Sequence, residues 1–200
     1  MTDQIVKATE RAIEKVVADF QRGDDRWWNE RDVHWSLYYH LRQEAAVTEN
    51  DVTKLIRAEF PTRKKFGDKV PARGHCDLVI LDPDSYNNEP VHSMKAQTSW
   101  DKYLPEQSIS VAIETKLWLG RLPFDRAQWD IDKLTEPHNN VQDAYFLNFV
   151  RLNFCKPAMK DYYRSLVDFL ADRKRQWPEL KILCVPSDPK MQIGPGLGWI

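Results

Sequence analysis

Cysteine is scarce in this chain: Cys76, Cys155 and Cys184 are the three in 200 residues. No two stand as C-x-x-C, and their odd number argues against a disulfide framework, so reduced core thiols are expected. Long apolar runs are missing as well. The longest obvious one, Leu78-Val79-Ile80-Leu81, falls far short of the roughly 18 residues that read as a membrane span. Neither sign of charge dominates, with 29 Lys and Arg against 30 Asp and Glu, which excludes a histone-like polycation and an acidic disordered tail. Nucleic-acid binding would need a local basic patch. Charges at Thr9-Glu10-Arg11 and Glu14-Lys15 stand where a secretory signal would be continuously apolar, so a cytoplasmic protein is expected. Strongly spaced motifs are lacking too. The five histidines form no H-E-x-x-H, which leaves a zinc hydrolase poorly supported, and neither G-x-x-x-x-G-K-[ST] nor G-x-S-x-G occurs. Gly194-Pro195-Gly196-Leu197-Gly198 opens no predicted helix that could hold a pyrophosphate.

What is present reads as one domain over 1–200, since no repeat and no Ser/Gly linker divides it. Ile5, Thr9, Ala12, Ile13, Val16, Val17 and Phe20 recur at helical spacing up to Gly23. A second helix is predicted from an Asp24-Asp25 cap to about Ala46, with Trp28, Val33, Leu37, Tyr38 and Leu41 inward. Thr53 to Phe60 leans towards strand, ended by Pro61. His75 to Leu81 is the clearest strand, closed by the turn cluster Asp82-Pro83-Asp84 and followed by a polar surface loop to about Gln107. Ser110 to Trp118 is a second strand, Gln128, Ile131 and Leu134 mark a helix, and Ala144 to Leu152 is a third strand. A long helix from Met159 to Trp177 and a strand from Lys181 to Val185 complete the order, giving an α/β (or α+β) fold with one mixed sheet flanked by helices.

Two of these strands carry charge inside apolar sequence. Burying Asp77, or Glu114 with Lys116, unpaired would cost several kcal/mol unless they act together. Alternation puts Glu114 and Lys116 on one face. If the Asp77 strand lies alongside, two carboxylates converge as hard oxygen ligands suited to Mg²⁺ or Mn²⁺, with a lysine placed to stabilise an attacking hydroxide or phosphoryl charge. The competing reading is a structural ion-pair network at a sheet end.

A helix bearing Glu30, then Asp77 on a strand, then Glu114-Thr115-Lys116 on the next, resembles the core of the PD-(D/E)XK nuclease superfamily, over roughly Arg26 to Val185. Cys76 stands where the name-giving proline would be, and the gap from Asp77 to Glu114 is long. The resemblance implies a restriction-endonuclease-like core (26–185), preceded by an extra helix (1–23) and followed by a tail (186–200). It implies a Mg²⁺- or Mn²⁺-dependent deoxyribonuclease that leaves a 5′-phosphate. Asp77 and Glu114 would be metal ligands, Lys116 the catalytic lysine, and Glu30 the helix acid supporting a metal-bound water. Glu44 and Glu59 rival Glu30 for that role. Asp130 and Lys133, three apart on the following helix, share a face and would support the site. The alternatives are a catalytically inactive, nucleic-acid-binding or scaffold descendant of the same fold, and a glycosidase using Asp77 and Glu114 as acid and base.

Arg57, Arg63, Lys64, Lys65, Lys69 and Arg73 gather basic charge before the Asp77 strand, as a groove for DNA phosphates or a solvated loop would. His75 shares a face with Asp77 by alternation. Trp35 and Trp129 read as core, whereas Trp100 and Trp118 flank the site region. Cutting both strands of DNA usually needs two active sites, which a homodimer or a larger nuclease complex would supply, and the sequence carries no interface signature that chooses between them.

Overall fold

A computed structural model of the chain describes residues 2–23, 27, 29–48, 52–65, 73–86, 108–121, 123–152, 157–193 and 197–200. Helix α1, Thr2–Gln21, buries Ile5, Ala8, Thr9, Ala12, Ile13, Val16, Val17 and Phe20 along the stripe its spacing predicts. Helix α2, Glu30–Leu41, begins later than the predicted cap. Asn29 caps it reciprocally, its side chain accepting the Arg31 N–H while its own N–H donates to Asp32. Asp24 and Asp25 lie outside the described residues, as does Trp28. Trp27 fills the apolar position instead, buried against Phe20 and Phe149. The helix also stops short of Ala46: a turn at Arg42 and Gln43 separates it from the short helix α3, Ala45–Thr48.

Strand β1, Ile56–Lys65, runs through Pro61, where the sequence predicts an end. Proline is tolerated because β1 is the edge of the sheet and needs ladder partners on one side only. Strand β2, Arg73–Leu81, is followed by a one-turn helix α4, Pro83–Tyr86, where a simple turn is predicted. Over 87–107 the predicted loop lies outside the described residues. Strand β3, Ile109–Trp118, helix α5, Asp125–Thr135, strand β4, Val141–Val150, helix α6, Pro157–Gln176, and strand β5, Lys181–Pro186, follow in the order the sequence predicts. Among the described residues they form one mixed sheet, ordered β1-β2-β3-β4-β5. The first three strands run antiparallel and β3, β4 and β5 parallel.

Aromatic packing identifies the two covered faces. Phe149 packs on Phe20 and Trp27 at the α1 side, and Trp118 packs on Phe124 and Tyr162 at the α5 and α6 side. Leu117 pairs in register with Phe149, so alternation turns Thr115 and Leu117 towards α1 and turns Glu114, Lys116 and Trp118 towards α5 and α6. Trp35 and Trp129 do not enter the core: they are 69% and 70% exposed. Buried Cys76 and Cys184 are free thiols, and burial pushes both upward from the ordinary thiol range. Cys155 lies outside the described residues.

Two latches hold the periphery. Glu44 accepts from Arg11 Nε and Lys15 Nζ, both at 2.6 Å, which ties the start of α3 to α1. Burial pushes the Glu44 carboxyl up, but hydrogen bonds from Lys15 and Arg11, with their charges, outweigh it and hold the group below its usual 4.5. Stability from a depressed carboxyl is present above its unfolded pKa and lost as pH falls through the folded one. Below about pH 4.5 wild type should therefore lose denaturation free energy more steeply than Glu44→Gln, as urea melts across pH would register. The second latch lies on β5, where the Cys184 N–H donates to the Gly198 carbonyl and the Ile200 N–H to the Ile182 carbonyl, both at 3.0 Å. Gly198 sits at φ 98°, and a Cβ there would meet the Cys184 carbonyl oxygen at 2.7 Å. Gly198→Ala should cost about 2 kcal/mol or more in chemical denaturation, against about 1 kcal/mol for Gly23→Ala, whose Cβ meets open space.

Candidate active site

Register pairs between β2 and β3 end at Leu78 and Ile113, although β2 extends back to Arg73 and β3 on to Trp118. Each strand keeps its other partner, β1 or β4, so the sheet forks at this point. Asp77, Glu114 and Lys116 stand in the fork. A break in a ladder strands backbone groups, and charged side chains take their place here. Asp77 Oδ2 accepts the Thr115 N–H at 2.7 Å and the Thr115 hydroxyl at 3.1 Å, while Lys133 Nζ donates to the His75 carbonyl at 2.9 Å.

On the α5 side the charges form a line of alternating sign. Lys133 Nζ lies 2.8 Å from Glu114 Oε1 and 2.8 Å from Asp130 Oδ1; Lys116 Nζ lies 2.8 Å from Asp130 Oδ2 and 3.6 Å from Glu30 Oε1 at the start of α2. Glu114 is 1% exposed, and the Lys133 ammonium is the cation paired with its Oε1. Burial drives the Glu114 carboxyl well above the usual range, the Asp77 and Asp130 charges add to that, and Lys133 offsets only part. Burial depresses the Lys116 ammonium, but Asp130 and Glu30 outweigh it and hold the lysine charged above its ordinary value.

On the other side, His34 Nε2 lies 3.1 Å from Asp77 Oδ2. Burial raises the Asp77 carboxyl, yet His34, the Thr115 N–H and the Lys133 charge together keep it below the ordinary range. His34, Glu59 and Asp77 each bring one ligand-capable atom within 4.8 Å of the others.

The fork thus gathers Glu30, Asp77, Glu114, Lys116, Asp130 and Lys133, all singled out from sequence. His75 contributes its carbonyl while its side chain is exposed. Arg63, Lys64, Lys65 and Arg73 belong to β1 and β2, with Lys65 paired to Arg73, but their side chains lie outside the described residues, as do Lys69 and Trp100. Of the rival acids, Glu44 is committed to the α1 latch, whereas Glu59 stands beside Asp77. His34 was not anticipated, although it lies one turn after Glu30 and on the same face of α2.

These residues fit a divalent cation on two counts. Glu30, Asp77, Glu114 and Asp130 set four carboxyl groups against the two ammonium groups of Lys116 and Lys133, and the raised Glu114 registers the excess of acids. Glu114 also holds two buried carboxyl oxygens, one of them paired with Lys133, of the hard donor type that Mg²⁺ and Mn²⁺ take. Comparison with family models, with curated proteins and with solved structures finds no match to this chain.

The buried Glu114 yields a prediction of its own. A carboxyl raised in the fold contributes stability below its unfolded pKa, and that contribution disappears as pH rises through the folded value. Lys133→Met removes the offsetting charge and should cost about 3–5 kcal/mol near neutral pH, with a smaller loss at pH 5 where Glu114 can take a proton. Adding Glu114→Gln should restore most of it, and urea denaturation of the single and double variants at both pH values measures this.

Proposed function

We propose that this chain is a divalent-metal-dependent nuclease that hydrolyses DNA phosphodiester bonds. The observation that carries the reading is the fork itself: two acids and a lysine on β2 and β3, with the Glu114 carboxyl fully buried among further charged groups. The architecture agrees with a restriction-endonuclease-like core. A helix with an acid at its start leads into an antiparallel meander, and a helix crossover then adds a parallel strand. Asp77 and Glu114 would hold Mg²⁺ or Mn²⁺, which when bound supplies Lewis-acid polarisation of the scissile phosphate and a more acidic water.

The chain's own residues divide the remaining work. Lys116 stays protonated between Asp130 and Glu30, so it serves as a fixed positive charge for phosphoryl oxygens and not as the base. Glu30 is the more exposed acid at the outer end of the line and is placed to accept a proton from water. Lys133 keeps Glu114 in place from α5 and spans both strands of the fork through the His75 carbonyl.

A second reading keeps the fold as a non-catalytic, nucleic-acid-binding or scaffold module. It is favoured by Lys133, whose ammonium already lies 2.8 Å from Glu114 as in a structural ion-pair network. Incubation with supercoiled plasmid and single-stranded DNA in Mg²⁺, Mn²⁺ or EDTA separates the two. The nuclease reading expects chelator-sensitive cleavage that falls about 100-fold or more in Lys116→Ala with circular dichroism unchanged. Absence of cleavage in every metal, or equal turnover by the variant, would overturn it.

A further inference from the structure

Trp35 and Trp129, expected in the core from sequence, stand in water, and their places are not scattered. Among the described residues the exposed large hydrophobic side chains are Trp35, Tyr39, Leu119, Trp129 and Ile193, and the three aromatic ones all belong to α2 or α5. Those are the helices whose acids meet at Lys116 in the fork, Glu30 from α2 and Asp130 from α5. A single exposed hydrophobe needs no explanation, but rings confined to the two helices that flank one cleft do.

Basic side chains interleave with these rings. On α2, at about 100° per residue, Arg31, Trp35, Tyr38, Tyr39 and Arg42 share one arc turned away from the buried Val33, Leu37 and Leu41. Trp35 packs edge-to-face with Tyr38, ring centroids 6.1 Å apart, and the Arg42 guanidinium lies over the Tyr38 ring at 5.7 Å. The row from Arg31 to Arg42 is thus braced over about 16 Å of helix and begins beside Glu30. On α5, Arg126, Trp129 and Lys133 recur at i, i+3 and i+7, and Lys133 reaches into the fork. Among the described residues no carboxylate pairs with the exposed Arg31, Arg42 or Arg126, whereas Arg22, Arg164 and Arg175 are each matched to an aspartate three residues away. The neighbouring acids are turned to other donors: Asp32 accepts the Asn29 N–H, Asp125 the Arg126 N–H and Asp132 the Gln128 amide.

We propose that Trp35, Tyr39 and Trp129 are stacking platforms for the bases of single-stranded DNA, with Arg31, Arg42 and Arg126 taking its phosphates, so that the strand delivered to the fork is unpaired. Duplex bases stack on one another and offer an exposed indole no ring face along their length, whereas every base of an unpaired strand has one to give. The arginines between the rings supply locally the positive charge that phosphates require, in a chain whose net charge is −1. This inference deepens the nuclease reading by naming its substrate class and rests on that reading for what happens to the strand; binding itself needs only the helices.

The test uses the full chain in EDTA, so that nothing is cut, with a fluorescently labelled oligodeoxythymidylate and a duplex of equal length as probes. Anisotropy should show the single strand bound about tenfold or more tighter than the duplex, and more weakly as salt rises. Trp35→Ala and Trp129→Ala should each weaken the single strand about fivefold or more with the melting temperature unchanged, while Trp35→Phe and Trp129→Phe keep most of the affinity. Equal affinity for the duplex, unchanged affinity in both alanine variants, or tighter binding of an oligouridylate of the same length would overturn the proposal. So would self-association that Trp35→Ala abolishes in a chain that binds no strand. Cleavage in Mg²⁺ or Mn²⁺ by the same proteins keeps the two ideas apart. Tryptophan-dependent binding without cleavage removes the nuclease and leaves the platforms, and chelator-sensitive plasmid cleavage that both alanine variants retain, without single-strand preference, does the reverse.

Discussion

The separation of β2 from β3 past Leu78 and Ile113 is the constraint from which the charged cluster follows. A sheet interior has no room for carboxylates while every N–H and C=O is spoken for by a neighbouring strand. Once the ladder opens, the stranded groups attract polar side chains, and Asp77 and Lys133 meet that need directly. The flanking helices then become necessary. Helix α2 brings Glu30 and His34 from one side and α5 brings Asp130 and Lys133 from the other, and Lys116 touches both helices. Below the fork the same strands are apolar apart from Ser110, with Leu78, Val79, Ile80 and Val111, Ala112, Ile113 buried, so the opening is anchored by a stiff base.

Most of the framework could be read from local pattern. Apolar strands bounded by turn residues and helices with a 3.6-residue stripe are properties of short windows, which is why α1, β2, β3, α5 and β5 fall where periodicity puts them. The misreadings share a physical cause, in that each depended on a distant partner. Asp24-Asp25 is as good a cap as Asn29, and only the reciprocal bond with Asp32 decides between them. Pro61 ends an interior strand but not an edge strand, and edge position is a property of the whole sheet. Trp35 and Trp129 are apolar enough for a core that Trp27 and Trp118 already fill.

The cluster was legible in part for the same reason. Asp77, Glu114 and Lys116 betray themselves as charges within apolar strands, and the i,i+3 spacing of Asp130 and Lys133 announces a shared face. His34 has no such signature, since a histidine on a helix is usually unremarked. Glu59 looked like one of three interchangeable acids until the β1 and β2 register put it opposite Asp77 and the α1 latch claimed Glu44. Strand register is fixed by hydrophobic faces many residues away, and no local window contains it.

The two rims of the sheet bear on how copies of this chain could associate. Along β5 the outward backbone groups of Ile182 and Cys184 are taken by Ile200 and Gly198, with Trp199 bridging to Leu183. Along β1, Pro61 offers no N–H and the ladder register slips just beyond it. Neither rim therefore presents a long unbroken row of donors and acceptors, the template on which strands of separate molecules zip together. Continuous sheets running from one molecule into the next are disfavoured by construction, which guards against fibrous aggregation.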